Sequence, residues 1–225
     1  MTFAKLEGRT IGVMLLLQLV GFILPFALIH PLTRADYYMN AADHSFRIKA
    51  AILLFFANGA LTIGIAIKAW PFFRRYSEPM AMWLIVLSVI MFVFQSVDNI
   101  GLMSMLALGQ QYSDGGSTNE GFAALAAVLR EMRRWAHYPE LFAIDFWIML
   151  FQAILLRYAL VPRALAAFGL LTMAVHFCAI PLSAFLGYEI NTNLGVPMAA
   201  GLFSIAVWLI AKGFSDRVRT ESYAP

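Results

Sequence analysis

Charge is what this chain has least of. Asp, Glu, Lys and Arg make up only 13% of it, while 61% is hydrophobic, against about 25% charged in a soluble domain. That balance excludes an ordinary water-soluble globule. It equally excludes a disordered chain, which is rich in charge and poor in apolar groups. Cysteine is nearly missing too. Cys178 stands alone inside an apolar run, so no internal disulfide forms, and it reads as a small packed hydrophobe rather than a redox or ligand thiol. G-x-G-x-x-G, Walker A, His-Glu-x-x-His and Gly-x-Ser-x-Gly segments are all absent, which removes the signatures of dinucleotide, phosphate-loop, zinc-protease and serine-hydrolase chemistry. Met80, Met82, Met91, Met103 and Met105 form no Met-x-x-Met repeats, so they read as lipid or packing contacts rather than copper ligands. The net charge of +3 does not point to nucleic acid, because basic residues in loops between apolar runs serve to orient a membrane protein.

What the sequence has is six long apolar runs. They predict transmembrane helices at Ile11–His30, Ile48–Trp70, Met80–Leu106, Glu140–Leu160, Ala164–Gly187 and Pro197–Phe214, since about 20 apolar residues cross a hydrocarbon core of roughly 30 Å. Little sequence remains for a soluble domain, and residues 1–225 are expected to form a single all-helical membrane domain. The first run is longer than the apolar core of a secretory signal. Its Ala27-Leu28-Ile29-His30-Pro31 is a poor cleavage sequence, so the run reads as a retained anchor. With the N-terminus inside, ten basic residues (Lys5, Arg9, Lys68, Arg74, Arg75, Arg157, Arg163, Lys212, Arg217 and Arg219) fall on the inner side. Six (Arg34, Arg47, Lys49, Arg130, Arg133 and Arg134) fall outside. That asymmetry places both termini in the cytoplasm.

Two connecting segments carry more than a turn. Pro31–Arg47 mixes Asp36, Tyr37, Tyr38, Asp43 and His44 and suits a short helix at the interface. Phe122–His137 is amphipathic: Leu125, Val128, Leu129, Met132 and Trp135 recur at helical spacing, with Arg130, Glu131, Arg133 and Arg134 on the remainder. It is expected to form a separate surface helix leading into the fourth span through Tyr138-Pro139. The turn-rich stretch Ser113-Asp114-Gly115-Gly116-Ser117 before it reads as a mobile flap.

The candidate functional residues are polar groups inside the spans, where an ionisable side chain is costly and marks a site by default. Gln95, Asp98 and Asn99 share a stripe of the third span. His137, Glu140 and Asp145 form a second stripe in the fourth, and His176 sits in the middle of the fifth. Counting about 1.5 Å per residue, Asp98 lies roughly 27 Å from the inner start of its span and His176 roughly 18 Å along its own. These depths converge on the outer half of the membrane, and one polar cluster is expected there.

Such a cluster has three readings. Asp98, His137, Glu140, Asp145 and His176 offer nitrogen and carboxylate ligands suited to zinc, iron or manganese, with His137 and Glu140 on one helical face. Gln95, Asp98, Asn99, Asp145 and His176 alternatively handle a small solute, an ion or protons. Finally, the polar groups satisfy one another: Asp98 pairs with Arg34, Arg47 or one of Arg130, Arg133 and Arg134, and His176 donates to a carbonyl freed upstream of Pro181. Lys212, at the cytoplasmic end of the last span, snorkels to the interface and is no Schiff-base lysine.

Three segments carry a family resemblance. Arg9-Thr10-Ile11-Gly12 opens the first span, Val161-Pro162-Arg163 with Gly169 follows the fourth, and Trp208-Leu209-Ile210-Ala211-Lys212-Gly213 closes the last. With the order of spans they resemble a bacterial membrane family catalogued as domain of unknown function 4386. The resemblance implies a six-helix bacterial inner-membrane protein and brings no activity or site residues with it. From the residues themselves, the expected function is non-enzymatic: binding or moving a small solute or ion through an outward-facing polar pocket. The alternatives are a metal-dependent intramembrane enzyme and an accessory subunit. The partners in view are the lipid bilayer, a solute or ion, and a partner protein or second copy of the chain. The cofactor in view is a divalent metal.

Overall fold

The structure is a computed structural model that describes residues 3–115, 120–188 and 195–215. Among the described residues every regular element is helical. The order is α1 (Phe3–Ile29), a 3-10 turn (His30–Thr33), α2 (Tyr37–Asn40), α3 (Ser45–Phe73), α4 (Glu78–Gly115), α5 (Glu120–Arg157), α6 (Arg163–Leu186) and α7 (Gly195–Lys212). Among the described residues six helices are long and apolar enough to cross a bilayer, so the protein is a membrane helix bundle. The turn and α2 supply the short helical structure expected after the first span. Ser113–Gly115 complete α4, and the rest of the expected flap, residues 116–119, lies outside the described residues.

The largest departure from expectation is α5. Phe122–His137 is no separate surface helix but the first half of a continuous 38-residue helix with Pro139 inside it. At about 1.5 Å per residue such a helix is roughly 57 Å long. Proline removes one amide and leaves the carbonyl of Trp135 without its helical donor, a local loss that a helix flanked by Ala, Leu, Glu and Arg tolerates. Leu125, Val128, Met132 and Trp135 are exposed, while Ala126 is buried. Bilayer lipid suits the apolar stripe, while of the polar residues Arg133 packs against α4 and Glu131 and Arg134 stay exposed.

By contacts the chain divides into two compact units, one from Val20–Ala60 and Met91–Leu141, the other from Met1–Leu19, Leu61–Ile90 and Phe142–Pro225. In the first, Ile29, Leu32, Tyr37, Ile48, Phe55, Leu102 and Met105 form the core. Tyr37 donates its hydroxyl to the Ala126 carbonyl at 3.4 Å. Its burial pushes the phenol up to about 12, against a smaller opposing pull from Arg130, so it stays a proton donor at neutral pH.

In the second unit, Trp147 stacks on Phe151 with ring centroids 5.7 Å apart, and Phe72 stacks on Phe214 at 4.7 Å. The segments that carried the family resemblance meet there. A Cβ on Gly12 would lie 2.8 Å from the Ala206 carbonyl and 2.9 Å from Ile210. Gly213 ends α7 with φ +75°, and a Cβ on it would fall 2.6 Å from Lys5 Cα, so both the backbone conformation and the close approach require glycine. α5 ends in a Schellman motif: Leu160 N–H donates to Leu155 and Ala159 N–H to Leu156. Ala159 holds the left-handed position at φ 50° without being glycine. Cys178 is exposed on α6 rather than packed, a position an apolar thiol tolerates against lipid.

Candidate functional site

Within one unit the structure brings together three of the five expected ionisable residues, and within the other it pairs the remaining two. Asp98, His137 and Glu140 come together between α4 and α5. Asp145 pairs with His176 between α5 and α6. At about 100° per residue, Asp145 stands roughly 140° around the helix from Glu140, so the two cannot share a face, although each is nearly or fully buried.

In the first arrangement Arg133 donates to Asp98 Oδ2 at 3.3 Å, and the side chains of both are largely shielded from solvent. The sequence offered Arg133 among five candidate partners for Asp98. The choice follows from Gly101, one turn along α4. A Cβ there would meet Arg133 Cβ and Cγ at 3.2 Å, so its absence lets the guanidinium's helix approach Asp98. His137 Nδ1–H donates to Glu140 Oε2 at 2.9 Å, the one-turn spacing placing both groups on one face. The same Nδ1 lies 3.8 Å from Asp98 Oδ1, beyond hydrogen-bond range. Asp98 Oδ1 is therefore buried without a hydrogen-bond partner among the described residues. The ring of Phe26 stands edge-on to the imidazole at 6.0 Å.

Three ligand atoms, one each from Asp98, His137 and Glu140, lie within 4.8 Å of one another. With His137 neutral, Arg133, Asp98 and Glu140 sum to one negative charge, so the group favours a cation. Gln95 and Asn99, also expected at the site, are buried on the same helix as Asp98. Gln95 Oε1 and both amide atoms of Asn99 lack partners among the described residues. Gln95 Oε1 instead lies against Gly59, where a Cβ would collide with it.

In the second arrangement His176 Nδ1–H donates to Asp145 Oδ2 at 2.7 Å. This bond takes the place of the expected one to a carbonyl upstream of Pro181. Asp145 is fully buried, and its Oδ1 has no partner among the described residues. In the same unit Gln18 donates to Thr62 at 2.6 Å, and Lys68 pairs with Glu7 at 3.1 Å. Glu7 is a buried acid that the sequence reading passed over because it precedes the first apolar run. The signal that would have found it is Lys68, a basic residue within the predicted second span.

A family model described as a domain of unknown function (DUF4386) matches residues 10–213. The chain belongs to that family. No curated protein and no solved structure matches the chain.

Proposed function

We propose that this family member is an ion-binding protein of the bacterial inner membrane that holds a divalent transition-metal ion between α4 and α5 through Asp98, His137 and Glu140. The observation that carries this reading is Asp98 Oδ1, a buried carboxylate oxygen left over after Arg133 has taken Oδ2. A buried acceptor without a partner is expensive, and a cation beside His137 Nδ1 and Glu140 Oε2 would satisfy it, the neutral imidazole carrying its proton on Nε2 so that Nδ1 can ligate. Zinc held by nitrogen and oxygen at about 2.0–2.2 Å sets neighbouring ligand atoms roughly 3.4 Å apart in a tetrahedron. The spacings of 2.9 and 3.8 Å around His137 Nδ1 bracket that value.

Arg133 is a positioning group here. It fixes the carboxylate's orientation, as outer-shell hydrogen bonds do for metal ligands, and leaves one oxygen free. Asp145 and His176 form a separate proton-holding pair rather than a fourth and fifth ligand. The charge asymmetry of the loops supports cytoplasmic termini, with the site opening outward.

The reading is tested by titrating zinc or manganese into the purified protein and following its unfolding temperature. A ligand that binds the folded state alone stabilises it by about 2.7 kcal/mol at a hundred times its dissociation constant. We expect a rise for the wild type that Glu140→Gln lacks. Equal curves for both proteins reject the site.

A further inference from the structure

Two of the segments that carried the family resemblance, Val161-Pro162-Arg163 and the start of Trp208–Gly213, line one cavity of the second unit. It encloses about 250 Å³ and is bordered by Ala159, Val161, Pro162, Arg163, Trp208 and Ser215. The backbone frames it. The Schellman turn at Ala159 closes one side, and Ser215 N–H donates to the Leu160 carbonyl at 2.9 Å, tying the segment after α7 to the turn before α6.

The polar groups of this cavity are donors. Arg163 is exposed and has no hydrogen bond or ion pair among the described residues. Trp208 buries its indole Nε1–H without an acceptor among the described residues, and an indole can only donate. Ser215 adds a hydroxyl. Pro162 caps α6 with no side-chain hydrogen bond. No acid lines the cavity among the described residues. Among the described residues a buried donor with no acceptor, an unpaired guanidinium and no competing carboxylate select an anion, and phosphate matches the planar guanidinium best.

We propose that this cavity binds the phosphate of a phospholipid headgroup. Arg163 supplies the counter-charge and Trp208 Nε1–H a directed hydrogen bond. The apolar walls of Ala159, Val161 and Pro162 suit the glycerol ester beside the phosphate. The location fits this source. Arg157 and Lys212 close α5 and α7, so the site lies where helices end among basic residues, the level at which headgroups lie. A free phosphate ion presents the same oxygens, so the test separates the two.

The experiment uses the full chain, delipidated in detergent, with phosphatidylglycerol or diacylglycerol added back and retained lipid counted by native mass spectrometry. Inorganic phosphate is titrated in parallel against the unfolding temperature. The wild type should hold phosphatidylglycerol about tenfold more tightly than Arg163→Gln or Trp208→Phe, the loss expected for one charged hydrogen bond. Arg163→Lys should be intermediate, and diacylglycerol should not bind. Millimolar inorganic phosphate that competes with the lipid supports the same chemistry. Phosphate that stabilises only the wild type while the lipid has no effect assigns the site to the free ion and overturns the lipid source. Equal lipid retention by the wild type and both variants overturns the proposal, as does diacylglycerol bound as tightly as phosphatidylglycerol. If Trp208→Phe fails to fold, the Arg163→Gln and Arg163→Lys pair decides, because that side chain is exposed and its replacement leaves the packing intact.

Discussion

Arg133 holds one oxygen of Asp98 at 3.3 Å and leaves the other without a hydrogen-bond partner. This half-satisfied pair separates two accounts of the polar core. If the network were complete in itself, Arg133 would be its whole purpose. If a cation completes it, Arg133 and the cation share the carboxylate. Replacing Arg133 by Gln keeps an amide donor but removes the charge, and breaking a buried pair costs about 3 kcal/mol. We expect that loss in metal-free buffer and its partial recovery on adding zinc or manganese, which restores positive charge beside Asp98. Unfolding temperatures with and without the ion check it, and a loss that no ion repairs favours the closed network.

Gly101 sets the approach of α5 to Asp98, with a Cβ there 3.2 Å from Arg133. Gly101→Val should force the helices apart, destabilise the protein by about 1–3 kcal/mol and weaken ion binding, although the residue bears no ligand. Gly101→Ala, which needs only a few tenths of an ångström of adjustment, should retain most of both. Metal titrations of the two variants side by side make the comparison.

His176 is the partner of a fully buried acid. His176→Ala should destabilise by about 3 kcal/mol, because it strands Asp145 in the interior. Asp145→Asn, which keeps a neutral hydrogen-bonding side chain, should cost less. Metal content should be unchanged in either variant. Loss of the ion from His176→Ala would show that the two arrangements form one site.

The spans were legible because twenty apolar residues in a row have few other uses in a chain with so little charge. The sequence also pointed to Asp98, and to arginine as its partner. It left open which arginine, because that choice depends on a missing side chain at Gly101 on the other helix. The continuity of α5 was hidden by Pro139: locally it is a stop signal, yet the packed face around Ala126 and Arg133 carries the helix through it. The apolar stripe of Leu125, Val128, Met132 and Trp135 was legible from its period, and it is exposed on the helix, where its solvent is lipid. The pairing of Asp145 with His176 joins two helices, and no periodicity within either one encodes it.

Ala159 holds a left-handed conformation at φ 50° that costs an L-residue about 1 kcal/mol relative to glycine. Ala159→Gly should therefore raise stability by up to about 1 kcal/mol, less the extra chain entropy of glycine in the unfolded state. Equilibrium unfolding in mixed detergent and denaturant would record it as a higher midpoint with an unchanged slope.

The most direct test of the central claim is elemental analysis of the gently purified protein beside Asp98→Asn. This substitution preserves shape and removes the charged ligand. The account predicts close to one zinc, iron or manganese per wild-type chain and a large loss in Asp98→Asn, with the variant still folded. A folded wild type that carries no metal, and takes up none from added zinc or manganese, would contradict it and leave Asp98, Arg133, His137 and Glu140 as a self-contained polar network.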